Sequence, residues 1–99
     1  QLDQRLKDQR QVLEKGFKLV KSGGRLVYIT CSVLPEENAA QVADFLSRHA
    51  DMKIIPYAEQ WRAAIGGEAP ASADGSSETL LLTPAQHGTD GFFVARILR

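Results

Sequence analysis

The 99-residue sequence has a single cysteine, no long apolar run and no excess of charge of either sign. One cysteine excludes a disulfide framework, an iron–sulfur cluster and a cysteine-rich zinc site within this chain. Twelve Lys and Arg balance twelve Asp and Glu, which argues against a free-standing nucleic-acid binder, since such proteins carry a basic excess or stripe. No run approaches the ~20 apolar residues needed to cross a bilayer, so we expect no membrane span and no membrane partner.

Patterns for phosphate and metal sites are missing as well. The glycine pairs at 23–24 and 66–67 lack the flanking strand and helix of a phosphate-binding loop. His49 and His87 have no metal-ligand spacing, so both are predicted to lie at the surface and no metal site is expected.

The remaining composition is that of one small globular domain. With 43% apolar and 24% charged residues, the chain can build a single modest core. It begins inside a helical pattern, without an initiator Met or the features of a signal peptide. We therefore expect a piece of a longer protein, and a cytoplasmic one, since one free thiol and no export signal fit that compartment.

The first third of the chain predicts a helix followed by a buried strand. An apolar stripe of helical period ends at the glycine pair 23–24. Its members are Leu2, Leu6, Leu13, Phe17 and Val20. Residues 25–31 are apolar on both faces, which is typical of a parallel strand covered by helices. Helix, glycine pair, strand and helix together indicate half of a doubly wound α/β layout.

A second helix is predicted from Pro35, where Glu36 and Glu37 suit the positive end of the helix dipole. Its predicted buried stripe consists of Ala39, Val42, Ala43, Leu46 and Ala50, with Phe45 at the edge. A short strand over Met52–Ile55 follows and stops at Pro56.

The last third is predicted to be irregular until its end. Residues 57–78 are interpreted as a flexible surface loop that Trp61 anchors on the core. A short extended piece at 80–83 comes next, and Asp90-Gly91 is predicted to form a turn. The range 92–98 is a strong final strand, with its two Phe in the core.

Cys31 is the residue that the pattern singles out as a candidate nucleophile. It falls at the carboxyl end of the first predicted strand, and ligands of open α/β sheets bind outside the carboxyl ends of the strands. A lone cysteine ending an apolar strand also fits a small core hydrophobe, and position alone favours that packing role.

Two strings of the sequence resemble one family. Residues 24–38 read Gly-Arg-Leu-Val-Tyr-Ile-Thr-Cys-Ser-Val-Leu-Pro-Glu-Glu-Asn, and residues 87–96 read His-Gly-Thr-Asp-Gly-Phe-Phe-Val-Ala-Arg. Both strings resemble the C-terminal part of the Sun family (NOL/NOP/Sun), which are RNA cytosine-5 methyltransferases that use S-adenosylmethionine. The resemblance covers nearly the whole chain, with residues 57–78 matching least, and the Thr-Cys-Ser string is its most specific part.

The resemblance implies a fold. The chain, over 1–99, would be the C-terminal portion of a Rossmann-like class I methyltransferase sheet, with three strands and two helices in an α/β arrangement. Strand 25–30 would lie at one side, 52–55 at the other, and 92–98 between them, antiparallel. Because 25–30 would then have an unpaired apolar edge, we expect the fragment to self-associate there.

The resemblance also implies a chemistry. Cys31 matches the family's nucleophile, which adds to carbon 6 of the target cytosine. Thr30 and Ser32 are candidates for lining the cytosine pocket, although strand-end geometry explains them equally well. S-adenosylmethionine would bind mainly to the missing upstream part, with no cofactor-binding residue in this segment. The RNA partner would be ribosomal rather than transfer RNA, and the isolated fragment is expected to be inactive.

Two other functions stay open. The chain also fits a non-catalytic α/β module for assembly or RNA positioning, with Cys31 in a structural role. A methyltransferase acting on nitrogen or on a small molecule is a weaker alternative, because those chemistries need no thiol and leave the Thr-Cys-Ser string unexplained.

Overall fold

The computed structural model describes residues 1–87 and 91–99, with Gln86 described by its backbone alone. The helices are α1 (Leu2–Leu19), α2 (Ala39–Arg48), α3 (Tyr57–Ala64) and the single turn α4 (Pro84–His87). The strands are β1 (Arg25–Thr30), β2 (Lys53–Ile55), β3 (Leu80–Leu82) and β4 (Phe92–Leu98). Within these described ranges, no helix combines the length and the apolar character needed to cross a membrane.

Strand β4 is the centre of the sheet. β1 pairs with one edge of β4, with Arg25 opposite Leu98 and Thr30 opposite Phe93. β2 pairs with the other edge, and all pairings are antiparallel. The α/β class and the predicted order, with the last strand antiparallel and central, are confirmed.

The short extended piece predicted at 80–83 is a fourth strand of the sheet, which the predicted three-stranded arrangement did not include. Residues 80–82 form β3, which pairs with the same edge of β4 as β2 does: Ile55 lies opposite Arg96, and Leu80 opposite Val94. β2 and β3 therefore continue one another along β4 and are interrupted by residues 56–79. Three consecutive leucines show no alternation of apolar and polar residues, so the sequence does not indicate which strand they pair with. The pairing forms only where the folded chain brings residues 80–82 beside β4.

The stretch predicted as a loop over 57–78 begins with a helix. α3 takes up its first eight residues, and the backbone N–H of Tyr57 donates to the carbonyl of Glu78 at 3.2 Å, which brings the two ends together. Trp61 lies on α3 and is half-buried beside Leu80 and Phe92. The anchoring role of Trp61 stays a prediction.

The core lies between the sheet and the pair α1 and α2. Its buried apolar members are Leu13, Tyr28, Val42, Phe45, Met52, Phe93, Ala95 and Ile97. The predicted edge position of Phe45 is wrong, because this ring is fully buried, whereas Ala39, Ala43 and Ala50 are exposed. Residues 35–37 form a 3₁₀ turn and α2 begins only at Ala39, so the buried face is centred one residue away from the predicted stripe.

The first strand is covered on one face only. Tyr28 points into the core at 7% exposure, whereas Val27 and Ile29 on the opposite face are 47% and 55% exposed. The prediction of helices on both faces of β1 is therefore wrong for this chain. α3 lies beside β3 and β4 on that second face and leaves β1 open.

Candidate functional site

Cys31 follows β1 directly and is exposed. It lies on the wall of an open groove of about 750 Å³ that runs between the β1 edge and α1. Arg5 and Gln9 of α1 line one side, and Val27 and Ile29 of β1 line the other. A small core hydrophobe would be buried, so the packing role considered for this thiol does not match its position in this chain.

The two neighbours of Cys31 are tied to Asn38. The Thr30 hydroxyl donates to Asn38 Oδ1 at 2.5 Å, and Asn38 Nδ2 donates to the Ser32 carbonyl at 2.7 Å. The Ser32 N–H in turn donates to Thr30 Oγ1 at 3.2 Å. The Ser32 hydroxyl oxygen accepts the N–H of Leu34 at 3.0 Å. Thr30 and Ser32 both line the groove, but their hydroxyls have partners inside the loop.

Glu37 connects this loop to α1. Its carboxylate accepts hydrogen bonds from Arg5 Nε at 2.7 Å and Gln9 Nε2 at 3.1 Å, and the residue is only 3% exposed. The hydrogen bond from Arg5, followed by that from Ser32, holds the pKa of the Glu37 carboxyl below its ordinary value. Because the carboxylate is buried and paired, the helix-dipole role predicted from its position is incomplete.

Tyr28 binds the same loop from the side of the core. Its hydroxyl donates to the backbone carbonyl of Glu37 at 2.6 Å. Burial, together with the nearby Glu37 charge, raises the pKa of the Tyr28 hydroxyl to about 12. Tyr28 therefore remains a neutral donor at physiological pH.

The start of β4 closes on the loop that carries Cys31. A Cβ atom placed on Gly91 would lie 2.8 Å from Val33 Cγ1 and 3.5 Å from the Cys31 carbonyl oxygen. The predicted turn at Asp90-Gly91 falls partly on 88–90, outside the described residues. The close approach of Val33 to the backbone at position 91 is thus a reason for glycine there, and the sequence did not reveal it.

The two histidines are partly buried, so neither ring is a freely exposed surface group. The His49 ring stacks on Phe17 at 3.8 Å and its Nε2 lies 2.7 Å from the Glu14 carboxylate. His87 Nδ1 accepts the backbone N–H of Thr83 at 3.2 Å. Among the residues that the structure describes, no three His, Cys, Asp or Glu side chains are grouped to hold a metal ion.

A family profile described as 16S rRNA methyltransferase RsmB/F matches residues 1–98. The ribosomal RNA small subunit methyltransferase B of Shewanella oneidensis is 40% identical over 91 residues, covering 92% of this chain and 18% of that protein. The chain thus spans less than a fifth of the length of this relative.

Two solved structures from Pyrococcus horikoshii show the same arrangement. A methyltransferase homologue protein is 32% identical with a TM-score of 0.68, covering 96% of this chain and 31% of that one. NSun6 with SFG is 26% identical with a TM-score of 0.74, covering 94% of this chain and 22% of that one.

Proposed function

Because the chain belongs to the 16S rRNA methyltransferase RsmB/F family, we propose that it is the C-terminal segment of the catalytic domain of an RNA cytosine-5 methyltransferase. The observation that carries the proposal is the exposed thiol of Cys31 at the carboxyl end of β1, on the wall of a groove. In an open α/β sheet, this is where ligands bind. A thiol in that position suits a reaction that needs a nucleophile.

The proposed role of Cys31 is covalent catalysis. Carbon 5 of cytosine is a poor nucleophile until a thiolate adds to carbon 6 and saturates the ring. The thiol loses its proton, a sulfur–carbon 6 bond forms, and the electron pair of the 5,6 double bond moves to carbon 5. Carbon 5 takes the methyl group, loses its proton to a base, and the returning electron pair expels the thiolate. The cytosine must leave its stack for this attack.

The methyl group comes from S-adenosylmethionine, which we propose binds mainly to the upstream part of the parent enzyme. The groove residues of this chain do not fit the cofactor's ribose, because Glu37 is the only carboxylate among them and its Oε1 already accepts from Arg5 and Gln9. NSun6 from Pyrococcus horikoshii was solved with SFG, an analogue of S-adenosylmethionine, which supports the cofactor class. We expect the isolated chain to be inactive.

The proposed partner is RNA, ribosomal rather than transfer RNA. The support is the description of the family and of the Shewanella oneidensis relative, both of which refer to ribosomal RNA of the small subunit. The cytoplasm is the proposed location, since ribosomal RNA lies there in bacteria. Thr30 and Ser32 are proposed to border the cytosine, because both line the groove beside Cys31.

A further proposal concerns the isolated chain. β1 is the outermost strand of the sheet in the described part of the chain, and two of its side chains, Val27 and Ile29, are half-exposed. An unpaired apolar strand edge is a template for pairing with another chain. The 99-residue chain is proposed to self-associate along the edge at 25–30.

Trapping the covalent intermediate tests the proposed function. The full-length parent enzyme is incubated with S-adenosylmethionine and substrate RNA that carries 5-azacytidine, which blocks release of the thiol. The cross-linked peptide is then mapped by mass spectrometry. We expect an adduct on Cys31, and none in a Cys31→Ser variant that binds RNA equally well. No adduct on Cys31 at equal RNA binding would contradict the proposal and favour a non-catalytic module.

A further inference from the structure

We propose that Asn38 is a positioning residue, which holds the Cys31 thiol at its place of attack by fixing the backbone on both sides of it. This inference rests on the proposed function of Cys31 as a nucleophile. It concerns a side chain that does not line the groove and that acts only through Thr30 and Ser32.

The Asn38 amide is built into the fold as a two-point bridge. The residue is 2% exposed, and its acceptor and donor are both used, on Thr30 and on Ser32 respectively. These two residues flank Cys31 directly. The Ser32 N–H, which donates back to the Thr30 hydroxyl at 3.2 Å, closes a ring of hydrogen bonds around the nucleophile's backbone.

Asn38 is held independently of this ring. It sits between the 3₁₀ turn and α2, where its carbonyl accepts the N–H of Val42 at 3.1 Å and its N–H donates to the Pro35 carbonyl at 3.1 Å. Val42 is part of the buried core. The Asn38 amide therefore fixes the Cys31 loop relative to the core, although Val33 and Leu34 of this loop are exposed.

Such positioning matters because covalent attack requires close alignment. Reacting atoms must approach to about 3–3.5 Å in the right direction, and a displacement of ~1 Å from a distant change can lower the rate by about 10²-fold. Removing the Asn38 amide takes away the shorter hydrogen bonds of the Thr30 hydroxyl and the Ser32 carbonyl, and leaves these two groups with the long bond of 3.4 Å that they make to each other. The loop then has more than one way to satisfy these groups, and the thiol loses its fixed position.

Gln41, three residues further along in α2, provides a matched control. It is a buried amide at 4% exposure, and its Nε2 donates to the Leu6 carbonyl at 2.8 Å and to Gln9 Oε1 at 3.3 Å. It thus resembles Asn38 in burial and hydrogen bonding, but its hydrogen bonds go to α1 and not to Thr30 or Ser32, the two neighbours of Cys31. Gln41→Ala removes a comparable amide and leaves the hydrogen bonds of Asn38 to Thr30 and Ser32 in place.

The experiment compares Asn38→Ala, Asn38→Asp and Gln41→Ala in the full-length parent enzyme. The rate of adduct formation on Cys31 is measured at saturating RNA that carries 5-azacytidine, together with the RNA Kd and the Tm of each variant. We expect Asn38→Ala to slow adduct formation by ~10–100-fold with an unchanged RNA Kd. Asn38→Asp keeps an acceptor for Thr30 and loses the donor to Ser32, so it is expected to fall in between. Gln41→Ala is expected to lower Tm like Asn38→Ala and to keep the wild-type rate.

The outcomes separate the two proposals. An adduct on wild-type Cys31 together with a wild-type rate for Asn38→Ala overturns the positioning role alone. Equal slowing by Asn38→Ala and Gln41→Ala also overturns it, because the effect then reflects general destabilisation. Absence of an adduct on wild-type Cys31 overturns the proposed function and, with it, this inference. If Asn38→Ala does not fold, Asn38→Asp decides by the same comparison with Gln41→Ala.

Discussion

Replacing Gly91 with alanine tests how tightly β4 closes on the Cys31 loop. The new Cβ would lie 2.8 Å from Val33 Cγ1, about 0.6 Å inside the 3.4 Å at which ordinary contact begins. The cost that we expect from this contact is steric. Overpacking costs about 1–3 kcal/mol, and we expect about 1 kcal/mol because Val33 is exposed and can move outward.

The expected functional effect is larger than the effect on stability. Since Val33 belongs to the loop that carries Cys31, its displacement moves the thiol, and the rate of adduct formation in the parent enzyme should fall by ~10-fold or more. Unfolding in urea gives the change in stability, and the 5-azacytidine reaction gives the rate.

Val33→Ala is the matched control because it removes the Cγ1 atom that the new methyl group would meet. The double variant Gly91→Ala, Val33→Ala should regain both stability and rate relative to Gly91→Ala, and Val33→Ala alone should be nearly neutral at this exposed site. A double variant as impaired as Gly91→Ala would refute the steric reasoning.

Two further predictions concern acid stability and association. The pKa of Glu37 is lowered from an ordinary 4.5, so its stabilising effect is complete above that value and is lost as the pH falls through the lower folded-state pKa. The free energy of unfolding in urea should therefore fall less between pH 5 and pH 3 in Glu37→Gln than in the wild-type protein. Part of the fall should remain in the variant, because the pKa of Glu14 is also lowered. An equal fall in both proteins would contradict this prediction. The 99-residue chain should show a mass that rises with concentration in sedimentation, and Ile29→Lys on the open face of β1 should weaken this association. A concentration-independent monomer mass would count against the proposed edge pairing.

The elements that the sequence predicted correctly are those with a local signal. α1 has a complete apolar stripe, and β1 and β4 are dense in β-branched and aromatic residues. The central place of β4 came from the resemblance to a family and is confirmed. The misplaced stripe of α2 came from a local ambiguity, because proline at position 35 starts an α-helix and a 3₁₀ turn equally well.

The candidate site was predicted only in part. Cys31 is marked by the Thr-Cys-Ser string, and its exposure agrees with a reactive role. The longer string over 24–38 also contains Glu37 and Asn38, but their type suggested no more than the start of a helix. Their roles depend on partners that a local pattern does not name, such as Arg5, which lies 32 positions from Glu37.

The sequence by itself determined that α1 is a helix, that β1 and β4 are strands and that the single cysteine follows β1, because periodicity and propensity act over a few residues. The tertiary structure alone decided that β2 and β3 share one edge of β4, that Glu37 is buried against α1, and that Asn38 bridges the two neighbours of Cys31. Buried polar groups require hydrogen-bond partners, and only the packed chain determines which groups are buried and which partners lie within reach.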